Sequence, residues 1–313
     1  MKAFVLGAGL GTRLQPLTDH LPKPLVPVFH RPLVCWTFDH LASMGADSFV
    51  VNTHHLPEKW SEAFPENAYD GRPIEFRNEP VLLETAGGLA NVADLLGDEP
   101  FVVYNGDLLC DLPLEAAWTE HLDSGREVTL VLRSEGPALR VLRDAESGAV
   151  TAIGPEVEDD DGGLQFTGIY FVSPAFLQRL EPGKKESVRP IFQQMIADGD
   201  PPGSVVIDEG FWADLGDREQ YLDAHFRLPG TDFPLYADGV LPAARHEEAE
   251  IDGTASIDGL SVVGEGSIVC EGVVMTECVV WPNSYVGPGS FLDRCVVTGR
   301  DGAVRGLANN EDL

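Results

Sequence analysis

The sequence predicts an α/β fold in which a mixed, mostly parallel, Rossmann-like sheet is followed by a short parallel β-helix. Three observations carry this expectation. Apolar strand candidates alternate with helical patterns through the first two-thirds of the chain, the pattern of repeated βα units. A Gly-rich loop, Gly7 to Arg13, follows the first strand candidate directly. From Val262 onward an aliphatic residue recurs every six positions, at Val262, Ile268, Val274, Val280, Val286 and Leu292, with Gly264, Gly266, Gly272, Gly287 and Gly289 between them. Such a period belongs to short strands stacked coil upon coil, with glycines permitting the corners.

Taken in order, residues 3–6 form the first strand and the loop follows. A helix begins near Pro32, with Leu33, Trp36, Thr37, His40, Leu41 and Met44 on one face and Gly45 placed to end it. A strand over 49–52, a helix over 85–96 and a strand over 101–104 come next, the last running into Asn105-Gly106-Asp107. Further strands fall at 128–132, 166–172 and 204–207, with a helix near 188–198. The acidic stretch Asp159-Asp160-Asp161-Gly162-Gly163 reads as a solvated turn. Residues 227–250 mix Pro, Gly, Ala and charge without a period and read as a linker. The expected organisation is a large α/β domain over 1–226, this linker, and a repeat module over 251–313 that acts as scaffold.

Composition narrows the function. The chain has 313 residues, 43% of them hydrophobic, enough for one large core and a smaller module. Its formal net charge of -30 opposes the phosphates of nucleic acids and anionic lipid surfaces, so neither is expected as a partner. No apolar run approaches the roughly 18 residues that cross a bilayer, and the start carries no export pattern, so a cytoplasmic protein is expected. Five scattered cysteines with no C-x-x-C spacing suggest neither disulfides nor zinc.

Gly7-Ala8-Gly9-Leu10-Gly11-Thr12-Arg13 lies where a doubly wound sheet places ligands, at the carboxyl end of a strand. It departs from the dinucleotide fingerprint at Thr12, and Pro16, Pro22, Pro24 and Pro27 follow where a helix should run. It also lacks the Gly-Lys-Ser/Thr ending of the Walker loop. What remains is a chain that winds past a ligand, donating backbone N–H groups to phosphate oxygens beside Arg13. Only five lysines occur, and Lys23 is set between Pro22 and Pro24, which fix the backbone that delivers its ammonium.

Residues 7–18 together with Pro22-Lys23-Pro24-Leu25 resemble the motif of the sugar-1-phosphate nucleotidyltransferase family. The resemblance continues in Glu84-Thr85-Ala86-Gly87-Gly88, Asn105-Gly106-Asp107, Phe166-Thr167-Gly168-Ile169-Tyr170 and Trp212-Ala213-Asp214-Leu215-Gly216, in the family's order. It implies the nucleotidyltransferase fold, and the hexapeptide tail is similar to the left-handed β-helix that many members append. It also implies a reaction: the phosphate oxygen of a sugar 1-phosphate attacks the α-phosphorus of a nucleoside triphosphate, and pyrophosphate leaves. Positioning and charge neutralisation carry such a displacement.

By the same resemblance Arg13 contacts the leaving pyrophosphate and Lys23 the reacting phosphates. Asp107 and Asp214 hold Mg²⁺, a hard ion suited to carboxylate oxygen. Gly7, Ala8, Gly9, Gly11, Thr12, Glu84, Gly87, Gly88 and Asn105 meet the nucleotide, Thr167 and Gly168 meet the sugar, and the β-helix joins copies into a homo-oligomer. One departure stands out: where many relatives carry a Glu-Lys-Pro whose lysine grips the sugar phosphate, this chain reads Ile153-Gly154-Pro155-Glu156, leaving Arg133, Arg140 or Arg143 to supply the charge. The substrate pair stays open between mannose-1-phosphate guanylyltransferases, which the tail resembles, and N-acetylmuramate-1-phosphate or glucose-1-phosphate uridylyltransferases, the first of which residues 84–88 resemble. A non-catalytic regulatory partner that senses a nucleotide sugar is the alternative of another class, and retention of Arg13, Lys23, Asp107 and Asp214 argues against it.

Overall fold

The first strand, Lys2–Leu6, stands inside a ten-stranded sheet in the computed structural model, which describes residues 1–158, 161–299 and 307–312. Asp159 and Asp160 of the acidic stretch lie outside the described residues. The chain divides into two compact units, each built from separated stretches: Met1–Leu10 with Trp36–Trp212, and Gly11–Cys35 with Ala213–Leu313.

In the first unit the sheet runs Val150–Ile153, Leu139–Arg143, Leu164–Val172, Phe101–Asn105, Lys2–Leu6, Ser48–Thr53, Arg72–Asn78 and Ala68–Tyr69. Val128–Arg133 pairs with Leu164–Val172 on one side and Gly203–Val206 on the other. Lys2–Leu6 is parallel to both of its neighbours, which is why Ala3, Phe4 and Val5 form an unbroken apolar run with 0% exposure: a central parallel strand is covered on both faces. Leu164–Val172 is antiparallel to Phe101–Asn105 and Val128–Arg133, so the sheet is mixed. Phe4, Val50, Val103, Leu130 and Tyr170 from the strands and Leu89 and Phe192 from the helices share its core.

Helix Leu33–Ser43 buries Leu33, Trp36, Thr37, His40 and Leu41 as its periodicity predicts. It ends at Gly45, whose φ of 88° is the left-handed value that glycine tolerates, while Ala46 N–H closes back on Leu41 O at 3.0 Å. The helix expected over 85–96 is two, Glu84–Asn91 and Ala93–Leu96, because Val92 leaves helical geometry at φ −107°, ψ 4° and bonds to Leu89 O instead.

The second unit contains the β-helix. Its three parallel sheets join Glu250–Ile251, Ile268–Val269 and Tyr285–Val286; Ser256–Ile257, Val274–Thr276, Phe291–Asp293 and Leu307–Asn309; and Val262–Val263, Val279–Val280 and Val296–Val297. The hexad period slips once in each later coil. Val262 pairs with Val279 and Val279 with Val296, one residue short of three hexads, whereas Ser256 pairs with Val274 at the full spacing. The shortened corner follows Met275 and Leu292, where Glu277 and Arg294 take φ of 49° and 50°. As a result the module's core runs through Val263, Val269, Met275, Val280, Val286, Leu292 and Val297, and of the residues that carried the period Val262, Val280, Val286 and Leu292 are buried while Ile268 is 38% exposed. The stretch read as a linker reaches this module at Ala244 and His246, which bond the two sides of Val263. Among the described residues no helix is long and apolar enough to cross a membrane.

Candidate active site

In the first unit a buried polar chain fixes the start of the glycine loop. Gly7 N–H donates to Asn52 Oδ1 at 2.9 Å, Asn52 Nδ2 donates to Glu79 Oε1 at 2.8 Å, and Glu79 Oε2 accepts from Leu83 N–H at 2.9 Å. Asn52 and Glu79 are each 1% exposed, so every donor and acceptor in the chain answers another. Gly7 has no room for a side chain: a Cβ there would stand 2.8 Å from both Asn52 O and the Trp60 ring. Gly9 differs. It is exposed, and a Cβ on it would meet no protein atom within 4 Å, so no internal crowding demands that glycine. Ala8 is buried.

The Glu84–Gly88 segment opens its helix against the same network. A Cβ on Gly88 would stand 2.7 Å from Asn52 Nδ2, and one on Gly87 would collide with Lys184 O. Ala86 and Gly87 N–H both donate to Glu186 O, at 2.9 and 3.1 Å, and Thr85 Oγ1 accepts from Val188 N–H at 2.8 Å. Gly87 therefore gives close approach to the protein's own 184–188 segment, and Gly88 to Asn52 and Glu79. Glu84, at φ 61°, holds its carboxylate 3.8 Å from Lys185 Nζ.

Asn105-Gly106-Asp107 leaves the end of its strand with Gly106 N–H bonded to Leu6 O at 3.0 Å, which ties it to the strand that feeds the loop. Gly168, at φ 82° in the bulge of Leu164–Val172, lies so close that a Cβ would be 2.6 Å from Asn105 Nδ2. Thr167 turns its hydroxyl to Val131 O at 2.8 Å and is 1% exposed, while its carbonyl accepts from Trp212 Nε1 at 2.9 Å. Beneath the strand, His40 bonds Tyr104 OH through Nδ1 at 3.1 Å and Leu112 O through Nε2 at 2.9 Å, and burial lowers its pKa to about 4. Burial likewise pushes the Cys110 thiol up to about 12, leaving it inert. Asp111 accepts from Phe211 N–H at 2.6 Å and donates its own N–H to Phe211 O, which fastens the segment leading to Trp212.

The second unit holds the cations. Gly11, at φ 65°, accepts from Leu14 N–H and from the Thr18 hydroxyl, both at 2.9 Å, and so starts the turn Thr12–Leu14 that presents the exposed Thr12 and Arg13. Lys23 begins the turn Lys23–Leu25, closed by Leu25 N–H to Pro22 O at 2.8 Å. Its ammonium, 6% exposed as a residue, lies 3.4 Å from Asp214 Oδ1. Gly216, two positions on, lies under Arg13: a Cβ there would be 2.9 Å from Nη2 and 3.0 Å from Nη1. Asp217 then caps helix Arg218–Arg227 in a reciprocal box with Gln220, so the helix N-cap is Asp217 and Asp214 is left outside it. Arg13, Lys23 and Asp214 thus belong to one compact body together with Gly11 and Thr12, and Asp107 with the other nucleotide candidates and the sugar candidates to the other.

Among the described residues no three His, Cys, Asp or Glu side chains cluster to hold a metal. Asp214 nonetheless suits a hard cation, since its side chain is 34% exposed and its contact with Lys23 is longer than the roughly 2.7–2.9 Å of a tight charge-assisted bond. The arginines proposed to replace the missing lysine are differently engaged. Arg133 donates to the carbonyls of Asp208, Glu209 and Gly210 at 2.9 to 3.4 Å, Arg140 to Val157 O, and Arg143 keeps a buried Nε without a hydrogen bond. Asn52, Glu79 and Asp111 were invisible as site residues in the sequence. Only Asn52 gave a signal, a polar residue ending the apolar run Phe49-Val50-Val51.

The first unit is a mixed α/β sheet whose first strand feeds a glycine loop, and the second sets an arginine and a lysine on tight turns with an aspartate beside the lysine. The chain belongs to the nucleotidyl transferase family, whose model matches residues 2–229. It is 33% identical over 227 residues to the mannose-1-phosphate guanylyltransferase catalytic subunit beta of Dictyostelium discoideum, a match covering 71% of this chain and 63% of that protein, and so less than two-thirds of that relative's length. It is also 33% identical over 223 residues to the N-acetylmuramate alpha-1-phosphate uridylyltransferase of Neisseria meningitidis, covering 69% of this chain and 93% of that one. Among solved structures it resembles HddC from Yersinia pseudotuberculosis, with a TM-score of 0.61 at 21% identity over 71% of this chain and 97% of that chain, a likeness of fold.

Proposed function

We propose that this chain joins a nucleoside triphosphate to a sugar 1-phosphate and releases pyrophosphate, with mannose 1-phosphate and GTP as the favoured pair. The observation that carries the reading is the grouping of Lys23, Asp214 and Arg13: a nearly buried ammonium 3.4 Å from a carboxylate, and a guanidinium seated over Gly216. A buried cation beside a partly exposed carboxylate suits a triphosphate, whose oxygens exchange for the carboxylate without leaving the ammonium unpaired. In this reading the sugar phosphate oxygen forms a bond to the α-phosphorus as the bond to the β-phosphate oxygen breaks. Arg13 meets the departing pyrophosphate, Lys23 the reacting phosphates, and the backbone of Gly7, Ala8, Gly9, Gly11 and Thr12 the remaining oxygens. The freedom of Gly9 from internal contacts supports a ligand-facing role. Asp107 and Asp214 would hold Mg²⁺, which supplies charge neutralisation at the phosphates. Glu84, Gly87, Gly88 and Asn105 are assigned to the nucleotide and Thr167 and Gly168 to the sugar, through backbone groups for Thr167 because its hydroxyl is bonded inside.

A uridylyltransferase acting on N-acetylmuramate 1-phosphate is the second reading, favoured by the match to 93% of the Neisseria protein. One screen tests both: pyrophosphate release from GTP, UTP, ATP, CTP and TTP, each against mannose, glucose and N-acetylmuramate 1-phosphates, with and without MgCl₂. The highest turnover is expected for GTP with mannose 1-phosphate and magnesium. UTP with N-acetylmuramate 1-phosphate as the best pair would replace the first reading by the second, and no release from any pair would remove both.

A further inference from the structure

The β-helix shares its compact body with the loop that carries Arg13 and Lys23, and one helix links the two. Trp281, on the β-helix and 3% exposed, donates its indole N–H to Tyr221 OH at 2.9 Å. Tyr221, fully buried on helix Arg218–Arg227, donates its own proton to Pro27 O at 2.6 Å. The direction of this chain is fixed by chemistry: an indole N–H only donates, a carbonyl only accepts, and the hydroxyl between them has one proton to give. Pro27 follows the Lys23–Leu25 turn, to which Val26 N–H is tied through Lys23 O at 3.2 Å. His225 holds the next residues, accepting from Phe29 N–H at Nε2 (3.4 Å) while its Nδ1 bonds Tyr221 O at 2.9 Å.

The helix is fastened to the β-helix independently of Tyr221. Arg294 reaches Glu219 at 2.7 Å and Asp223 at 3.4 Å while also bonding Glu277 at 2.7 Å, and Arg218 reaches Asp312 at 2.6 Å and Asn310 at 2.7 Å. A fully buried hydroxyl costs desolvation that a phenyl ring at the same place would avoid, so its placement calls for a use. We propose that Tyr221, braced by Trp281, is a positioning residue for Lys23, so that the β-helix sets where the ammonium meets the phosphates. The inference rests on the functional reading above.

A double-mutant cycle on triphosphate binding tests it, with GTP and UTP titrated in MgCl₂ into the full chain, the Tyr221→Phe and Lys23→Ala variants, and the double variant. If Tyr221 acts through Lys23, Tyr221→Phe should weaken binding about tenfold when Lys23 is present and less than about twofold when it is Ala, while the melting temperature falls equally in both backgrounds. Equal weakening in both backgrounds, or none in either, overturns the inference. Should Tyr221→Phe fail to fold, Trp281→Phe, which leaves the Tyr221–Pro27 bond in place, should show the same dependence on Lys23 at about threefold, and a background-independent effect there overturns it equally. A full chain that binds neither triphosphate and releases no pyrophosphate overturns the functional reading itself and this inference with it. A full chain that binds, with Tyr221 indifferent to Lys23, leaves that reading standing.

Discussion

Asp107 and Asp214, the two proposed metal ligands, are held by different local means, and the difference bears on how each responds to substitution. Asp107 follows a strand end pinned by Gly106 to Leu6 O, so its backbone is set by the sheet. Asp214 lies 3.4 Å from the nearly buried Lys23 ammonium, so its substitution also disturbs that ion pair. Asp107→Asn is therefore the cleaner probe of metal binding: pyrophosphate release should fall at least about a hundredfold while the melting temperature moves by less than about 3 °C. Near-normal turnover in that variant would take Asp107 out of the metal site. At this scale the sequence offered the ligand-facing candidates by motif and hid the residues that hold the motif in place. Arg13, Lys23 and Asp214 were each nameable from their neighbours in the chain. Asn52 and Glu79 were not, because their meaning lies in bonds to Gly7 and Leu83 made across the fold. Glycines carried a second ambiguity: Gly87 and Gly88 read as openings for a base, and the structure gives each a protein neighbour.

Helix Arg218–Arg227 and helix Leu33–Ser43 each bury a histidine whose two ring nitrogens are engaged, His225 and His40. Burial lowers both pKa values to about 4 from 6.5, so the folded chain keeps them neutral over a range in which the unfolded chain protonates them. The unfolded state then binds more protons between these limits. The stabilisation from the neutral rings is complete above about pH 6.5 and drains away as pH falls toward 4. Calorimetric scans should show the melting temperature dropping by about 5 °C or more across that window, given roughly 2–4 °C per kcal/mol for a chain of this size. A flat profile would mean that the two rings are not held neutral as described. Element boundaries were legible where a periodic face met a breaker, as at Gly45, and blurred where one residue changed the hydrogen-bond pattern, as at Val92. The β-helix was legible as a period whose first three positions fall one residue before the core and whose last three, Val280, Val286 and Leu292, lie in it, because the shortened corners at Glu277 and Arg294 are conformational events with no marker in the order of aliphatic residues.

At the scale of the whole chain a net charge of -30 repels itself in the compact state. Among the described residues, arginines and lysines enter ion pairs such as Arg179 with Glu127 and Asp200, and Arg72 with Asp70, yet the acidic excess far exceeds them. Raising salt from about 0.1 M to 1 M shortens the screening length from about 10 Å to 3 Å, so the melting temperature should rise by about 5 °C or more in molar KCl. A melting temperature that stays level or falls would assign the acidity to something other than tolerance of a salty solvent.

The interleaved path of the chain also orders events in time. Lys23 meets Asp214, Pro27 meets Tyr221 and Phe29 meets His225 across separations of 191, 194 and 196 residues. A ribosome delivers Pro27 194 residues before the tyrosine, and the tryptophan and Arg294 follow later still. Until then the loop has nowhere to lodge, and closing contacts over such spans is slow and entropically costly. A chain broken between Trp212 and Tyr221 would thus keep the strands of its first sheet while the segment 11–35 hangs without a berth.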